Sequence, residues 1–193
     1  HFTTGPYDPM LNLLVPGQVG TYNAYGEPRI YVNYRNVEQV DLALYEFSAE
    51  QFVALNGENS WRKWNEFEPD PDGLIRRWST EVDAPLNAMR TLSTTLIHQD
   101  GTPLSPGFYY VEATSPQVSR VQRHMLVITT MNLTLKSAQG QALVWATDLR
   151  SGEPLEDVEL TIYDRKGRQV TQENTDNQGL VLADLPDQDP WAP

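Results

Sequence analysis

Residues 142–186 read ALVWATDLRSGEPLEDVELTIYDRKGRQVTQENTDNQGLVLADLP. Four runs rich in aliphatic residues are separated by a Ser-Gly-x-Pro segment at Ser151–Pro154, a glycine turn at Gly167 and a Thr-Asp-x-x-Gly segment at Thr175–Gly179. Gly, Pro, Asp and Asn are the residues that tight turns favour, because they preset or tolerate turn dihedrals or bond to nearby backbone. The stretch therefore predicts four short strands joined by turns, the pattern of a β-sandwich.

The last of these turns has two chemical interpretations. Asp176 stands between Asn174 and Asn177, ahead of Gly179, and oxygen atoms of these types are ligands for calcium. An EF-hand loop, however, needs oxygen ligands at alternating positions and a bidentate Glu at its twelfth position. Asp176 is the only carboxylate of residues 174–180, and an apolar strand pattern resumes at once. We therefore predict a structural turn, in which Asp176 accepts backbone N–H groups and Gly179 supplies a positive φ.

The alternation of apolar residues extends far upstream of this stretch. Two segments, 28–37 and 40–47, alternate with a period of two, which predicts half-buried strands. The residues assigned to the buried faces are Ile30, Val32, Tyr34, Val40, Leu42 and Leu44. Because only the residues NVEQ (36–39) separate the two segments, the sequence predicts a tight antiparallel connection between them.

One helix is predicted, at SAEQFVAL (48–55), where Ser48 and Gln51 have the spacing of a capping box. The polar stretch 56–73 is expected to be an irregular excursion whose aromatic residues fold back on a sandwich. Further strands are expected in 74–83, 89–99, 107–114 and 124–137.

Many short strands, 14 prolines and a single helix predict an all-β fold of tandem antiparallel β-sandwiches. We assign residues 1–17 to a linker or the tail of a preceding domain, 18–129 to a first sandwich and 130–193 to a second. The second is short for a sandwich of roughly 100 residues, so we expect it to be truncated or to continue beyond Pro193. The chain starts without Met or a signal-peptide pattern, and we interpret it as a piece of a longer or processed protein.

Composition excludes several classes of function. The formal charge of −12, from 26 acidic and 14 basic residues, disfavours binding to nucleic acid or to anionic membranes. The chain has no cysteine, which removes disulfides, thiolate catalysis and cysteine-ligated metals. No apolar run approaches the roughly 20 residues that cross a bilayer.

Residues with catalytic potential are scattered rather than grouped. The three histidines, His1, His98 and His124, lack helical spacing to other metal ligands, and we predict solvated or capping roles for them. His98 has a neighbouring Asp100, but such pairs are common in loops. The acidic stretch EFEPDPDG (66–73) is interpreted as a solvated loop, since its prolines hold the carboxylates apart. No nucleophile elbow or phosphate loop is present, so we expect no enzyme activity, no cofactor and no metal.

The tryptophans leave a binding function open. Trp61 and Trp64, with Trp78, could form an aromatic surface that stacks on sugars, although core or interface packing is the commoner use of such residues. Trp145, inside an apolar run, is predicted to pack in a core.

Residues 142–186 resemble a macroglobulin-type β-sandwich of the bacterial alpha-2-macroglobulin family, in which a LVWxTDLxxGxPLxxVxVxxYDxxGxxxxxxxTDxxGL pattern recurs. The matching residues are Leu143–Leu149, Gly152, Pro154, Leu155, Val158, Tyr163, Asp164, Gly167, Thr175, Asp176, Gly179 and Leu180. The segments YRNVEQVDLALYEF, PGFYYVEA and RHMLVITTMNLTLK are typical of a neighbouring macroglobulin domain. A Thr-Asp-x-x-Gly hairpin also occurs in other Ig-like bacterial surface domains, so a carbohydrate-binding or adhesive module is the alternative.

The resemblance implies a non-catalytic scaffold within a multidomain protein that traps or inhibits proteases. It implies a location in the bacterial periplasm or at the cell surface, with any lipid anchor outside this chain. The implied partners are proteases, met by the whole protein, and neighbouring domains of the same chain. Family members use a bait segment and in many cases a Cys-Gly-Glu-Gln thioester, and this cysteine-free chain carries no thioester.

Overall fold

The computed structural model describes residues 5–15, 17–138 and 140–185. Over these ranges the fold is built mainly from strands, with two short α-helices and one 3-10 turn. The strands are β1 (Met10–Leu13), β2 (Val19–Asn23), β3 (Arg29–Arg35), β4 (Gln39–Phe47), β5 (Leu74–Glu81), β6 (Arg90–Thr95), β7 (Gly107–Ser115), β8 (Val118–Thr129), β9 (Met131–Ala138), β10 (Gln141–Asp148), β11 (Glu159–Tyr163), β12 (Gln169–Asn174) and β13 (Leu180–Asp184). The helices are α1 (Ala49–Asn56) and α2 (Ser60–Glu66), and the 3-10 turn is Pro71–Gly73. The all-β prediction is confirmed.

The chain divides into two compact units. Unit 1 comprises His1–Ser48 and Glu68–Thr129, and unit 2 comprises Ala49–Phe67 and Thr130–Pro193. The helical segment between β4 and β5 therefore belongs to unit 2, although the strands on either side of it belong to unit 1.

Unit 1 contains two sheets. One has three strands in the order β1-β3-β6, and the other has five in the order β2-β8-β7-β4-β5. All neighbours pair antiparallel except β2 and β8, which run parallel from Val19 opposite Met125 to Asn23 opposite Thr129. A single hydrophobic cluster draws buried residues from both sheets, among them Ile30 and Val32 of β3 and Leu42 and Leu44 of β4. The two predicted buried faces are confirmed.

The predicted tight connection between β3 and β4 is wrong. β3 pairs with β1 and β6, whereas β4 pairs with β5 and β7, so the two strands lie in different sheets. Asn36 takes a left-handed conformation with φ of 53° between them, and Val37 is buried in the shared core. Both strands carry a strongly apolar face, and the core is built by placing these faces in opposite sheets rather than side by side.

Unit 2 combines a three-stranded sheet in the order β13-β10-β9 with the two-stranded hairpin β11-β12. Its buried core is small. Among the described residues, its strands contribute a cluster of Val144 from β10, Leu160 from β11, and Val181 and Ala183 from β13.

Helix α1 confirms the predicted helix, but α2 contradicts the expectation of an irregular excursion. Asn59, at the N-terminus of α2, has a left-handed backbone and caps the helix with no side-chain hydrogen bond. The helix is held by contacts within unit 2 instead. The N–H of Glu58 donates to the Arg165 carbonyl at 2.7 Å, and Lys63 Nζ donates to the Ala54 carbonyl at 2.8 Å. Tertiary contacts of this kind override weak local propensity.

Trp145 is exposed on β10, so the prediction that it packs in a core is wrong. Ala142, Val144 and Ala146 occupy the buried face of β10, and strand alternation places Trp145 on the opposite face. Its indole N–H donates to the Gln178 carbonyl at 3.2 Å.

Candidate functional site

The corner at Thr175–Gly179 joins β12 to β13, and Asp176 closes it with its side chain. Oδ1 of Asp176 accepts the backbone N–H of Gln178 at 2.8 Å and that of Leu180 at 2.9 Å. The backbone of Asp176 adds two bonds, donating to the Leu180 carbonyl at 3.0 Å and accepting from the Gly179 N–H at 2.9 Å. A single carboxylate oxygen thus satisfies two amides that the turn leaves without strand partners.

Gly179 is required by its conformation and by its surroundings. Its φ is 73°, in the left-handed region, and a Cβ atom there would collide with the carbonyl oxygen of Ala146. The same Cβ would lie 3.1 Å from the backbone nitrogen of Leu155. The carbonyl of Gly179 in turn accepts the Ala146 N–H at 2.8 Å. The backbone of the corner therefore lies directly against β10, an approach that only glycine permits.

Thr175 anchors the other side of the corner and is buried. Its hydroxyl donates to the Leu155 carbonyl at 2.6 Å and accepts the Val158 N–H at 2.9 Å. Its backbone also exchanges bonds of 3.0 Å with Val158 and Asp157. The corner is thereby tied to the segment that leads into β11.

Two further corners of unit 2 use the same construction. Oδ1 of Asp148 accepts the N–H groups of Arg150 and Ser151, both at 2.8 Å, ahead of a glycine with positive φ at position 152. Oδ1 of Asp164 accepts the N–H groups of Lys166 and Arg168 at 2.8 and 2.9 Å, around a second such glycine at position 167. The hydrogen bond from the backbone N–H of Arg168 is the main cause of the lowered pKa of Asp164. The three aspartates that the family pattern contains are therefore all backbone acceptors.

The described residues contain no group of three or more His, Asp or Glu side chains that could hold a metal ion. The acidic stretch 66–73 runs from the end of α2 into the 3-10 turn, where Asp70 Oδ1 accepts the Asp72 N–H at 3.0 Å. In unit 1, an open pocket is lined by Glu38, Glu81 and Asp83.

The histidines occupy different environments. His1 lies outside the described residues. His98 is in a turn whose carboxylate, Asp100, is bonded to the N–H and hydroxyl of Thr102. The Thr102 N–H is the main cause that lowers the pKa of Asp100. His124 is wholly buried within β8, so its predicted solvated or capping role is wrong.

Trp61 and Trp64 do not share an exposed surface. Trp61 of α2 is 74% exposed, whereas Trp64 of the same helix is 8% exposed. Trp78 belongs to unit 1, and the guanidinium of Arg76 lies over its ring at 4.4 Å from the centroid.

Within the described ranges, neither helix has the length and apolarity that crossing a membrane requires.

Residues 128–190 match the family model of the bacterial alpha-2-macroglobulin MG3 domain. The predicted resemblance to the bacterial alpha-2-macroglobulin family is confirmed. The matched segment includes the three aspartate corners and the core of unit 2. No curated protein sequence matches the chain.

Solved bacterial alpha-2-macroglobulins share the fold. The native Escherichia coli protein spanning domains MG0-NIE-MG1 superposes with a TM-score of 0.71 at 17% identity, covering 96% of this chain and 60% of that one. Its NIE-MG1 portion gives a TM-score of 0.69 at 16% identity, covering 94% and 88%. Salmonella alpha-2-macroglobulin reacted with methylamine gives 0.68 at 17% identity, covering 95% of this chain and 11% of that one. The predicted tandem β-sandwich class is confirmed.

The family model is that of an MG3 domain, whereas the Escherichia coli structures span domains named MG0, NIE and MG1. This chain spans about one ninth of the Salmonella protein that it resembles. It is therefore comparable to a small part of an alpha-2-macroglobulin and not to a whole one.

Proposed function

We propose that this chain is a non-catalytic scaffold segment of a bacterial alpha-2-macroglobulin-like protein, and that the whole protein traps or inhibits proteases outside the cytoplasm. The observation that carries the proposal is the match of residues 128–190 to the MG3 domain, together with the corners that the matched residues build. The fold likeness over nearly the whole chain supports it as well.

The chemistry of the described side chains supports a scaffold role. The Oδ1 atoms of three aspartates accept hydrogen bonds from backbone amides and stabilise turns; these are Asp148, Asp164 and Asp176. His98 and His124 lie in separate surroundings, one in an exposed turn and one in the sheet interior. A hydrolytic mechanism needs a nucleophile or water activated by a positioned base. The ring of His124 is instead bonded to the Gly17 carbonyl and to the Tyr22 hydroxyl, whose pKa burial raises.

The test uses the full-length protein that contains these residues. We expect incubation with a panel of proteases to produce cleavage at one segment outside this chain, a more compact particle and inhibition of the protease on a protein substrate. Gel mapping, small-angle scattering and a residual-activity assay measure the three effects. A full-length protein that stays intact, unchanged in shape and non-inhibitory would refute the proposal.

The scaffold role of unit 2 has its own test in the same protein. We expect Gly179→Val in the full-length protein to abolish inhibition while protease cleavage persists, because the substitution disrupts a corner and not the cut segment. Gly152→Ala is the matched control, since that glycine also has a positive φ but has open space around its Cβ position. Full inhibition by the Gly179→Val protein would exclude a scaffold role for this corner.

A second candidate function is carbohydrate binding or adhesion, favoured by the exposed indole of Trp61. Sugar-stacking surfaces use exposed aromatic faces, and the burial of Trp64 leaves Trp61 without a neighbouring exposed indole on α2. A glycan array probed with the chain and with Trp61→Ala decides between the functions. Glycan binding that Trp61→Ala abolishes would favour this candidate over the scaffold.

A further inference from the structure

The sheet interior of unit 1 contains a polar cluster that the proposed function does not use. His124 of β8 is fully buried, and both of its ring nitrogens have partners. Nδ1 lies 3.0 Å from the carbonyl oxygen of Gly17, and Nε2 lies 3.0 Å from the hydroxyl of Tyr22. Both partners belong to the segment that forms β2, more than 100 residues earlier in the chain.

These contacts fix the tautomer of the imidazole. A carbonyl oxygen only accepts, so Nδ1 must carry the proton that bonds to Gly17. Nε2 then presents its lone pair to Tyr22, whose hydroxyl donates. Burial raises the pKa of Tyr22, which keeps that hydroxyl protonated at physiological pH. The neutral imidazole thus satisfies one acceptor and one donor of β2 at the same time.

The packing around the ring leaves little room for adjustment. A Cβ atom at Gly20 would lie 2.8 Å from His124 Nε2 and 3.0 Å from the ring of Tyr22, so the backbone of β2 lies directly against the imidazole. The rings of Tyr22 and His124 meet edge to face with centroids 5.9 Å apart. β2 is also an edge strand, paired only with β8 within the described sheet.

We propose that His124, Tyr22 and Gly17 form a pH-sensitive latch that holds β2 on the edge of the five-stranded sheet, and that protonation of His124 releases this strand. A proton on Nε2 would point at the hydrogen of the Tyr22 hydroxyl, and the bond could re-form only if that hydroxyl turned its own hydrogen away. The imidazolium would also be a charge in the sheet interior, where desolvation is costly.

Among the described residues around His124, no opposite charge compensates for that cost. Of the neighbouring strands, β2 presents Tyr22, β7 places the apolar Val111 opposite His124, and β1 carries no ionisable residue. The charged residues beside this pair, Arg123 and Glu112, form an ion pair with each other at 3.6 Å. Burial is accordingly the main cause that lowers the pKa of His124.

The direction of the pH effect follows from that lowered pKa. The unfolded or released segment binds a proton near the ordinary histidine value of about 6.5, at a pH where the latched histidine does not. The latch is therefore complete above about pH 6.5 and weakens as the pH falls from there toward the lower pKa of the folded state. Uptake of one proton limits the effect to about tenfold in the opening equilibrium per pH unit.

Amide hydrogen exchange of the chain tests the latch. The N–H groups of Ala24 and Met125, which bond across the two ends of the β2–β8 pairing, report its opening. After correction for intrinsic exchange chemistry, we expect their protection to fall severalfold between pH 7.5 and pH 5. The amides of Leu44 and Val111, in the middle of the sheet, should keep their protection. Protection of β2 that does not change with pH would overturn the proposal.

Two variants and one control make the test specific. His124→Gln removes the titrating group, and we expect the acid-induced loss to disappear. Tyr22→Phe removes the hydroxyl that stabilises the neutral imidazole and so moves the pKa of the latched histidine toward its ordinary value. We therefore expect a smaller acid-induced loss that levels off at a higher pH. His98→Gln, in an exposed turn, should leave the pH response unchanged. Persistence of the response in His124→Gln, or a response of undiminished size in Tyr22→Phe, would each contradict the latch, and the second variant decides if the first fails to fold.

Discussion

The two units of this chain are built on different physical principles. The core of unit 1 contains Val32 and Leu44 with no exposed surface, together with fourteen other buried residues drawn from both of its sheets. Among the described residues of unit 2, the hydrophobic cluster between its strands has four buried residues, and the largest of them, Leu160, retains 8% exposure. Burial of apolar area is the dominant stabilising term for a sandwich, and unit 2 has much less of it.

Unit 2 has instead a dense set of backbone bonds at its corners. Asp148, Asp164 and Asp176 each accept two amides, and Thr175 bridges a carbonyl and an amide in the interior. Among the residues that carry the family resemblance, corner residues outnumber core residues. The difference indicates that unit 2 should be sensitive to changes in its turns, and unit 1 to changes in its core.

The largest effect is expected from Gly179→Val. A β-branched residue at a φ of 73° is strained, and its Cβ would collide with the carbonyl of Ala146. We expect a loss of about 4 kcal/mol in the free energy of unfolding of unit 2, the range reserved for severe strain and overpacking. Denaturant titration monitored by Trp145 fluorescence measures it.

Gly152→Ala, where the Cβ would meet open space, isolates the conformational part of the cost. We expect that control to lose about 1 kcal/mol, the penalty for placing an L-residue in the left-handed region. Equal losses in the two variants would show that the close approach of the corner to β10 is unimportant.

Matched leucine truncations test the comparison directly. Leu42→Ala removes a side chain that is 1% exposed in the core of unit 1, and Leu160→Ala removes its counterpart in unit 2. We expect about 3 kcal/mol for Leu42→Ala and about 2 kcal/mol for Leu160→Ala, because a looser site creates a smaller cavity. Urea titrations of both variants give the values. A larger loss for Leu160→Ala than for Leu42→Ala would contradict the conclusion that apolar burial stabilises unit 1 more than unit 2.

Thr175→Val should cost less than Leu42→Ala and about as much as Leu160→Ala. The variant keeps the shape of the side chain but leaves the N–H of Val158 and the carbonyl of Leu155 without their partner. We expect a loss of about 2 kcal/mol, the penalty for unsatisfied buried polar groups. Thr171→Val, in an exposed strand of the same unit, is the control and should be nearly neutral. A Thr175→Val chain as stable as the parent would count against the role of the corner in unit 2.

Calcium should have no effect at all. Asp176 Oδ1 accepts two backbone amides, so a cation would have to compete with bonds that close the corner. We expect identical melting temperatures in 5 mM calcium and in chelator, by scanning calorimetry, at the order of concentration where even weak extracellular sites fill. A calcium-dependent rise in the melting temperature would mean that the corner binds metal, and it would contradict a purely structural role for Asp176.

Local pattern was sufficient for most strands and insufficient where distant residues decide. The stretch 1–17, predicted to be a linker or tail, contains β1, which pairs with β3 and places Leu11 and Leu13 in the core of unit 1. The period of two identifies the faces of β3 and β4, but the same period arises whether two strands pair or lie in opposite sheets. The left-handed Asn36 and the burial of Val37, which direct β4 into the other sheet, depend on the assembled core. Trp145 was predicted to lie in a core from its place in an apolar run, and the two-residue alternation of the strand contradicts this. Val144 and Ala146 lie on the buried face, so Trp145 between them lies on the opposite face.

Two other features could not be predicted from the residues next to them in the sequence. Helix α2 lacks a side-chain cap and depends on a bond from Glu58 to Arg165, about 100 positions away. The environment of His124 depends on Gly17 and Tyr22, which are equally remote. Neither contact can be read from the residues on either side of it.

The parallel pairing of β2 with β8 has a consequence for how the chain is made. Val19 meets Met125, so closing this edge of the sheet requires a loop of about 100 residues, and such long-range contacts form slowly. During synthesis, β2 leaves the ribosome at the start of unit 1 and has no partner until the last strand of that unit has followed it. The first strand of the five-stranded sheet to be synthesised is therefore unable to pair within the sheet until the sheet's last strand exists. Until then β2 carries open backbone edges with which other chains can pair.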